Sequence, residues 1–229
     1  MSTDDNYKEK LAVAKAAVAM VKNNDIVGLG TGSTATLAIK ELAKLINKGL
    51  KIKAVPSSEA TKQLAISLSI PLLELGEVSS IDISIDGADE FTKDLNLIKG
   101  GGGALFREKV VASLSKKTII ITDRSKLVDQ LGAFKVPIEV NAHAEAYVVK
   151  ELEKLRGKAV KRMINDETFI TDNQNYIYDT DFGSIADPQA LDEKLNQIVG
   201  VLTHGLFINL TTLVLMSQNN EVIKFVKLV

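Results

Sequence analysis

Short β-branched runs separated by amphipathic stretches recur from the start of the chain to about Ala133, and that rhythm leaves few folds open. Leu11, Ala14, Val18 and Val21 lie three and four residues apart, which predicts a helix over residues 7–23. Ile26-Val27-Gly28-Leu29 predicts a buried strand, then Gly30-Thr31-Gly32-Ser33-Thr34 leads into a second helix ending near Asn47. Ile52 to Val55 predicts another strand, with Pro56-Ser57-Ser58 as turn and N-cap for a helix to about Leu68. Ile81-Asp82-Ile83-Ser84-Ile85 alternates as a strand does, and Thr118 to Ile121 is a buried β-branched run. Strands and helices alternating at this pitch predict an α/β fold, a parallel sheet with helices on both faces.

The rhythm changes after Ala133. Strand-like Val136 to Val140, a helix over His143 to Leu155, short strands at Ala159 to Met163, Phe169 to Thr171 and Tyr176 to Asp181, and a helix over Pro188 to Leu195 predict a small α+β subdomain. Gly205-Leu206-Phe207-Ile208-Asn209 then begins a strand returning to the main sheet. The expected division is residues 1–132 with 205–229 as the main domain, and residues 133–204 as the inserted one. A length of 229 residues, with 45% hydrophobic and 25% charged content, accommodates both cores. A formal net charge of -1 gives no electrostatic case for nucleic acid or an anionic membrane as partner. Cysteine is absent, which excludes disulfides, thiolate metal sites and cysteine nucleophiles. The polar, acidic Met1-Ser2-Thr3-Asp4-Asp5 is the reverse of a signal peptide, and the expected compartment is the cytoplasm.

Three loops carry the chemistry. Lys99-Gly100-Gly101-Gly102-Gly103 places four glycines behind a lysine and before a helix-forming run containing Glu108. Consecutive glycines cost backbone entropy, so they suggest amides kept bare for close approach. A cation, bare amides and a carboxylate are the parts needed to stabilise an oxyanion while a proton moves. Gly28 to Thr34 joins a strand to a helix, where unpaired amides and the helix dipole attract an anion. The loop lacks the Gly-Lys-Ser/Thr of a P-loop, and Ser33 replaces the third glycine of a dinucleotide fingerprint. Hydroxyls at Thr31, Ser33 and Thr34 suit a phosphate monoester. Asp86-Gly87-Ala88-Asp89-Glu90 follows a strand end, where ligands of open α/β sheets bind. That cluster fits polyol hydroxyls, a magnesium ion or a plain Asx turn. His143 and His204, the only two histidines, are expected to be surface or packing residues.

In order along the chain, Gly30-Thr31-Gly32-Ser33-Thr34-Ala35, Ser57-Ser58-Glu59-Ala60-Thr61, Asp86-Gly87-Ala88-Asp89-Glu90 and Lys99 to Lys109 resemble the ribose-5-phosphate isomerase A family. The resemblance implies a Rossmann-like main domain with a small inserted ferredoxin-like α+β subdomain. It also implies cofactor-free, metal-free interconversion of ribose 5-phosphate and ribulose 5-phosphate in the pentose phosphate pathway. By the same resemblance Glu108 is the proton acceptor, with Asp86 and Lys99 as its catalytic companions. Thr31, Gly32, Ser33, Thr34, Asp86, Gly87, Ala88, Asp89, Lys99, Gly100, Gly101, Gly102 and Lys126 bind the substrate. Lys10 is a further candidate for the phosphate. The expected partners are a small sugar phosphate and a second copy of the chain, as a homodimer or tetramer, with no nucleic acid or membrane. Gly103 departs from relatives that carry alanine, and is expected to add loop freedom. Related folds also serve as CoA transferases and sugar-phosphate deaminases, and a sugar-phosphate sensor without turnover is the non-enzyme alternative.

Overall fold

The computed structural model describes residues 3–219 and 221–226. Its elements begin with α1 (Thr3–Val18), β1 (Ile26–Leu29), α2 (Ser33–Ile46), β2 (Lys53–Pro56), α3 (Glu59–Ser67) and β3 (Ile83–Asp86). They continue with β4 (Glu90–Phe91), β5 (Leu97–Ile98), α4 (Leu105–Leu114), β6 (Thr118–Asp123), β7 (Val136–Val140), α5 (Glu145–Lys154) and β8 (Lys158–Lys161). The remainder is β9 (Met163–Ile164), β10 (Glu167–Thr168), β11 (Tyr176–Asp181), α6 (Pro188–Asn196), β12 (Val201–His204), β13 (Leu206–Phe207), β14 (Leu213–Gln218) and β15 (Glu221–Val226). The chain divides into two units: residues 1–88, 107–127 and 210–229, and residues 89–106 with 128–209.

The first unit is built on a six-stranded sheet in the order β15-β14-β6-β3-β1-β2. All neighbours are parallel except the antiparallel edge pair β14–β15. Counted among themselves, the parallel strands run 2-1-3-4-5, a doubly wound order whose direction reverses between β1 and β3. Alternate residues point to opposite faces. Val27, Leu29, Ile83, Ile85, Ile119 and Ile121 face one way and pack with Val13 and Ala17 of α1 and Ile39 and Leu42 of α2. Val55 and Ile81 pack with Val111 of α4 in a separate cluster. Gly28 makes that second packing close: a Cβ there would lie 2.5 Å from Val111 Cγ1 and 2.8 Å from Ser84 Cβ. β14 completes the sheet from the far end of the chain, and the N–H of Asn219 donates to Glu9 Oε1 of α1 at 3.1 Å.

The second unit holds a four-stranded antiparallel sheet in the order β12-β7-β11-β8. Along the chain its elements read β-α-β-β-α-β, with the short β9–β10 hairpin between β8 and β11. Ile138, Val140, Val148, Leu152 and Leu195 are buried together beneath it. A three-stranded sheet, β13-β5-β4, belongs to the same unit.

Several sequence expectations shift. Residues 89–106, 128–132 and 205–209 group with the second unit, so the boundaries differ from 132/133 and 204/205. β13 pairs with β5, antiparallel, instead of rejoining the main sheet. The first helix stops at Val18, short of residue 23, and Asn24 takes a left-handed φ of 70°. Phe169 to Thr171 forms no strand beyond the bridge between Ile170 and Tyr176. No helix among the described residues is long and apolar enough to cross a membrane.

Candidate active site

At the carboxyl edge of the parallel sheet, the loops after β1 and β3 flank the point where strand order reverses, the place such sheets bind ligands. Gly30 donates its N–H to Ile85 O at 2.9 Å, drawing the two loops together. Side-chain bulk is excluded there, since a Cβ on Gly30 would lie 2.1 Å from Asp86 Oδ1 and 2.6 Å from Asp86 Cα. Buried Asp86 accepts the N–H of Thr31 at 3.1 Å and of Gly87 at 2.7 Å through the same Oδ1.

Gly32 is the N-cap of α2 with φ 112°, a left-handed value that favours glycine, and it supplies no side-chain cap. The first amides of α2 are thereby left to an incoming acceptor, in the manner of helix N-termini that bind phosphate. Lys10 Nζ donates to Ser33 Oγ at 3.1 Å, which brings the α1 lysine onto this loop. Thr31 is bonded within the protein as well. Its hydroxyl donates to Ser58 Oγ at 2.8 Å, Ser58 to Thr61 Oγ1 at 3.0 Å, and Thr61 to Gly30 O at 2.9 Å. Ser57 Oγ stands 3.0 Å from Thr31 Oγ1 at the head of this chain. The Thr31 hydroxyl is therefore engaged with the Ser57-Ser58-Glu59-Ala60-Thr61 segment, and that motif's local task is to brace the loop.

Glu108 is buried, and it lies one helical turn before Val111 on the same side of α4. Helix α4 runs back toward β3, with Ile81 N–H donating to Leu114 O at 2.9 Å. One turn upstream of Val111 therefore carries Glu108 toward the carboxyl edge, the end where Asp86 and the Gly30–Thr34 loop lie. Lys126 closes the 3-10 turn Arg124–Lys126 after β6, capped by Asp123, whose carboxylate accepts Ser125 N–H at 2.9 Å. Gly87 and Ala88 are half-buried on the β3 loop of the same unit.

The second unit holds the other candidates. Lys99 is 4% exposed, its Nζ 5.4 Å from the centre of the Phe207 ring, and its N–H donates to Gly205 O at 2.9 Å. Gly205 admits that contact because a Cβ would lie 2.3 Å from Lys99 O. In the glycine loop, Gly101 N–H is not bare: it donates to Asp89 Oδ2 at 2.8 Å. Gly103 N–H donates to Gly100 O at 3.0 Å. Gly103, expected to loosen the loop, instead has φ 83° and sits against Phe169, whose Cζ a Cβ would approach to 2.4 Å. Glu90, read as part of an acidic cluster, receives Gly132 N–H at 2.9 Å and Phe134 N–H at 2.5 Å on its two oxygens. Among the described residues no three His, Asp or Glu side chains converge as a metal-binding group. His143 is exposed, and His204 is buried with Nε2 3.2 Å from Asn196 Oδ1.

Arg162, Phe169 and Ser58 escaped sequence reasoning as loop supports. Only Ser58 had a usable signal, as an N-cap whose hydroxyl accepts Thr61 N–H at 3.0 Å.

Fold and loops together define a doubly wound α/β protein with its candidate site at the strand ends, built around helix amides and buried carboxylates. Residues 53–221 match the family described as ribose 5-phosphate isomerase A (phosphoriboisomerase A). The chain is 43% identical to ribose-5-phosphate isomerase A of Agrobacterium fabrum over 219 residues, 93% of this chain and 95% of the relative. Among solved structures it is similar to ribose 5-phosphate isomerase A of Methanocaldococcus jannaschii, with TM-score 0.92 and 40% identity, covering 97% of this chain and 100% of that one. It is also similar to a D-ribose-5-phosphate isomerase in complex with phospho-erythronic acid, with TM-score 0.93 and 38% identity, covering 99% of this chain and 100% of that one. The chain belongs to the ribose 5-phosphate isomerase A family.

Proposed function

We propose that this protein interconverts D-ribose 5-phosphate and D-ribulose 5-phosphate through an enediol, without a cofactor. The observation that carries the reading is buried Glu108, held one turn inside α4 on the side that packs against the sheet. The relative solved with phospho-erythronic acid supports the substrate class, since that acid is a phosphorylated sugar acid with a carboxylate at the reacting end.

In this mechanism Glu108 takes the C2 proton of the open aldose and returns a proton to C1. The electron pair released at C2 forms the C1–C2 double bond, and O1 gains negative charge. Lys99 and the unspent amides of the glycine loop stabilise that oxygen; losing one such donor typically costs about 3 kcal/mol of barrier. Asp86 handles hydroxyl protons, including those of ring opening. The phosphate is held by the α2 amides with Ser33, Thr34 and Lys10, and its remote binding energy positions the reacting carbons. Lys126 adds a cation at the same edge.

Metal is not required in this scheme. Asp86 Oδ1, Asp89 Oδ2 and both Glu90 oxygens accept backbone N–H groups, so these carboxylates serve to hold their loops. The test is formation of ribulose 5-phosphate from ribose 5-phosphate after exhaustive EDTA dialysis. Full turnover is expected. No product from the folded protein with or without metal would refute the isomerase reading, and activity restored only by a divalent ion would refute the metal-free route.

A further inference from the structure

The glycine loop is clamped from behind by a residue outside every motif above. Arg162 lies between β8 and β9, and its side chain is 12% exposed. Its guanidinium is held bidentate by Asp179 of β11, with Nε 2.9 Å from Oδ2 and Nη2 2.5 Å from Oδ1. The remaining terminal nitrogen, Nη1, donates to both Gly100 O and Gly101 O at 3.1 Å. Phe169 backs the group, its ring centre 5.8 Å from Cζ.

In a trans peptide the C=O and N–H point in opposite directions. Turning the Gly100 and Gly101 carbonyls toward Arg162 therefore turns the Gly101 and Gly102 N–H groups to the other side. The Gly100–Gly101 peptide is fixed at both ends, since Gly101 N–H reaches Asp89 Oδ2 at 2.8 Å. The Gly101–Gly102 peptide is the middle of the turn closed by Gly103 N–H on Gly100 O, and among the described residues Arg162 is the side chain that holds its carbonyl, so the turn and that hydrogen bond together set the direction of the Gly102 N–H. Glycines rotate their peptide planes at little steric cost, and without the clamp a flip would present a carbonyl where an amide is needed.

We infer that Arg162, oriented by Asp179, is a positioning residue for isomerisation: it presets the Gly102 amide as a donor to the developing O1 oxyanion. A guanidinium suits this task because its planar fork holds a carboxylate with two parallel N–H groups and aims its remaining terminal nitrogen in a fixed direction, whereas an ammonium is a point charge with no such fixed fork. The inference rests on the isomerase reading above.

The test is Arg162→Lys, with Asp179→Asn as a second variant, and wild type run in parallel. Lysine keeps the charge but cannot hold Asp179 and both carbonyls together. A loosened oxyanion donor should lower kcat for ribose 5-phosphate by about 10–100-fold, below the full loss of a donor. KM should stay within about twofold, because the phosphate grip is untouched. Inhibition by phospho-erythronic acid, whose carboxylate resembles the anionic intermediate, should weaken in step with kcat. Asp179→Asn should move both quantities the same way by less. Wild-type kcat in Arg162→Lys, or a lowered urea midpoint with kcat unchanged, overturns the inference. A fall in kcat with inhibitor affinity intact does the same. A wild-type enzyme that makes no ribulose 5-phosphate instead overturns the isomerase reading.

Discussion

Replacing Thr61 by valine removes a hydroxyl while keeping the volume of the side chain. Thr61 Oγ1 donates to Gly30 O at 2.9 Å and receives the Ser58 hydroxyl at 3.0 Å, and both neighbours are buried. Valine leaves the Gly30 carbonyl without a donor and the Ser58 hydroxyl without its acceptor. A buried polar group stripped of its partner costs about 1–3 kcal/mol, so two of them set an expected loss of about 2–6 kcal/mol. Ser58 lies in a chain with Thr31, whose N–H also meets Asp86, so the same change should slacken the phosphate loop. Urea denaturation with linear extrapolation measures the first effect, and KM for ribose 5-phosphate measures the second. Thr61→Ser keeps the hydroxyl and should lose less than about 1 kcal/mol. If Thr61→Val loses less than about 0.5 kcal/mol with KM unchanged, the hydroxyl chain does not brace the loop.

Glu108→Gln keeps the shape and removes the base, so turnover should fall about 10²–10⁴-fold while calorimetry still detects ribose 5-phosphate binding; near-normal turnover would show that another group takes the proton. Gly28→Ala drives a Cβ to 2.5 Å from Val111 Cγ1 and should destabilise by about 1–3 kcal/mol in urea, with no loss indicating that α4 retreats freely. Asp82 accepts the N–H of Ile26 at 2.9 Å and the Lys116 ammonium at 2.8 Å, which hold its carboxyl below the usual carboxylate range. Its contribution should be complete above the unfolded value of about 3.9 and lost as pH falls through the lower folded value. The stability gap between wild type and Asp82→Asn, followed by urea titration, should accordingly close on acidification; a gap that stays constant contradicts this.

Four of the five parallel strands, β1, β2, β3 and β6, were legible because burial in the sheet makes them short apolar or alternating runs, as in Thr118 to Ile121. The loops at their ends were legible because glycine and acidic residues cluster there, directly after the apolar runs. Two-residue strands leave no period to detect, so β4 and β5 were invisible, and the strand at Leu206-Phe207 was assigned to the wrong sheet. The β14–β15 hairpin hides for another reason. Its first strand follows a loop rather than a crossover helix, and its turn at Asn219, φ 53°, carries no glycine. The bracing task of the Thr31 hydroxyl was not legible because its partners lie 26 to 30 positions along the chain. Arg162 had no local signal at all: its carbonyl acceptors lie 61 and 62 positions away.

That β14 enters the main sheet beside β6 has a consequence for biosynthesis. About 90 residues separate Asp123, the end of β6, from Leu213, the start of β14. At a synthesis rate of roughly 5–20 residues per second, the β6 edge waits about 5–20 s for its neighbour. Unpaired strand edges are templates for pairing with other chains. The intervening residues include 128–209, most of the second unit, which has its own core and sheets and can gather while the first stays open. Crowding of nascent chains during that interval should therefore favour aggregation through β6, and a chaperone that shields this edge should raise the yield of soluble protein.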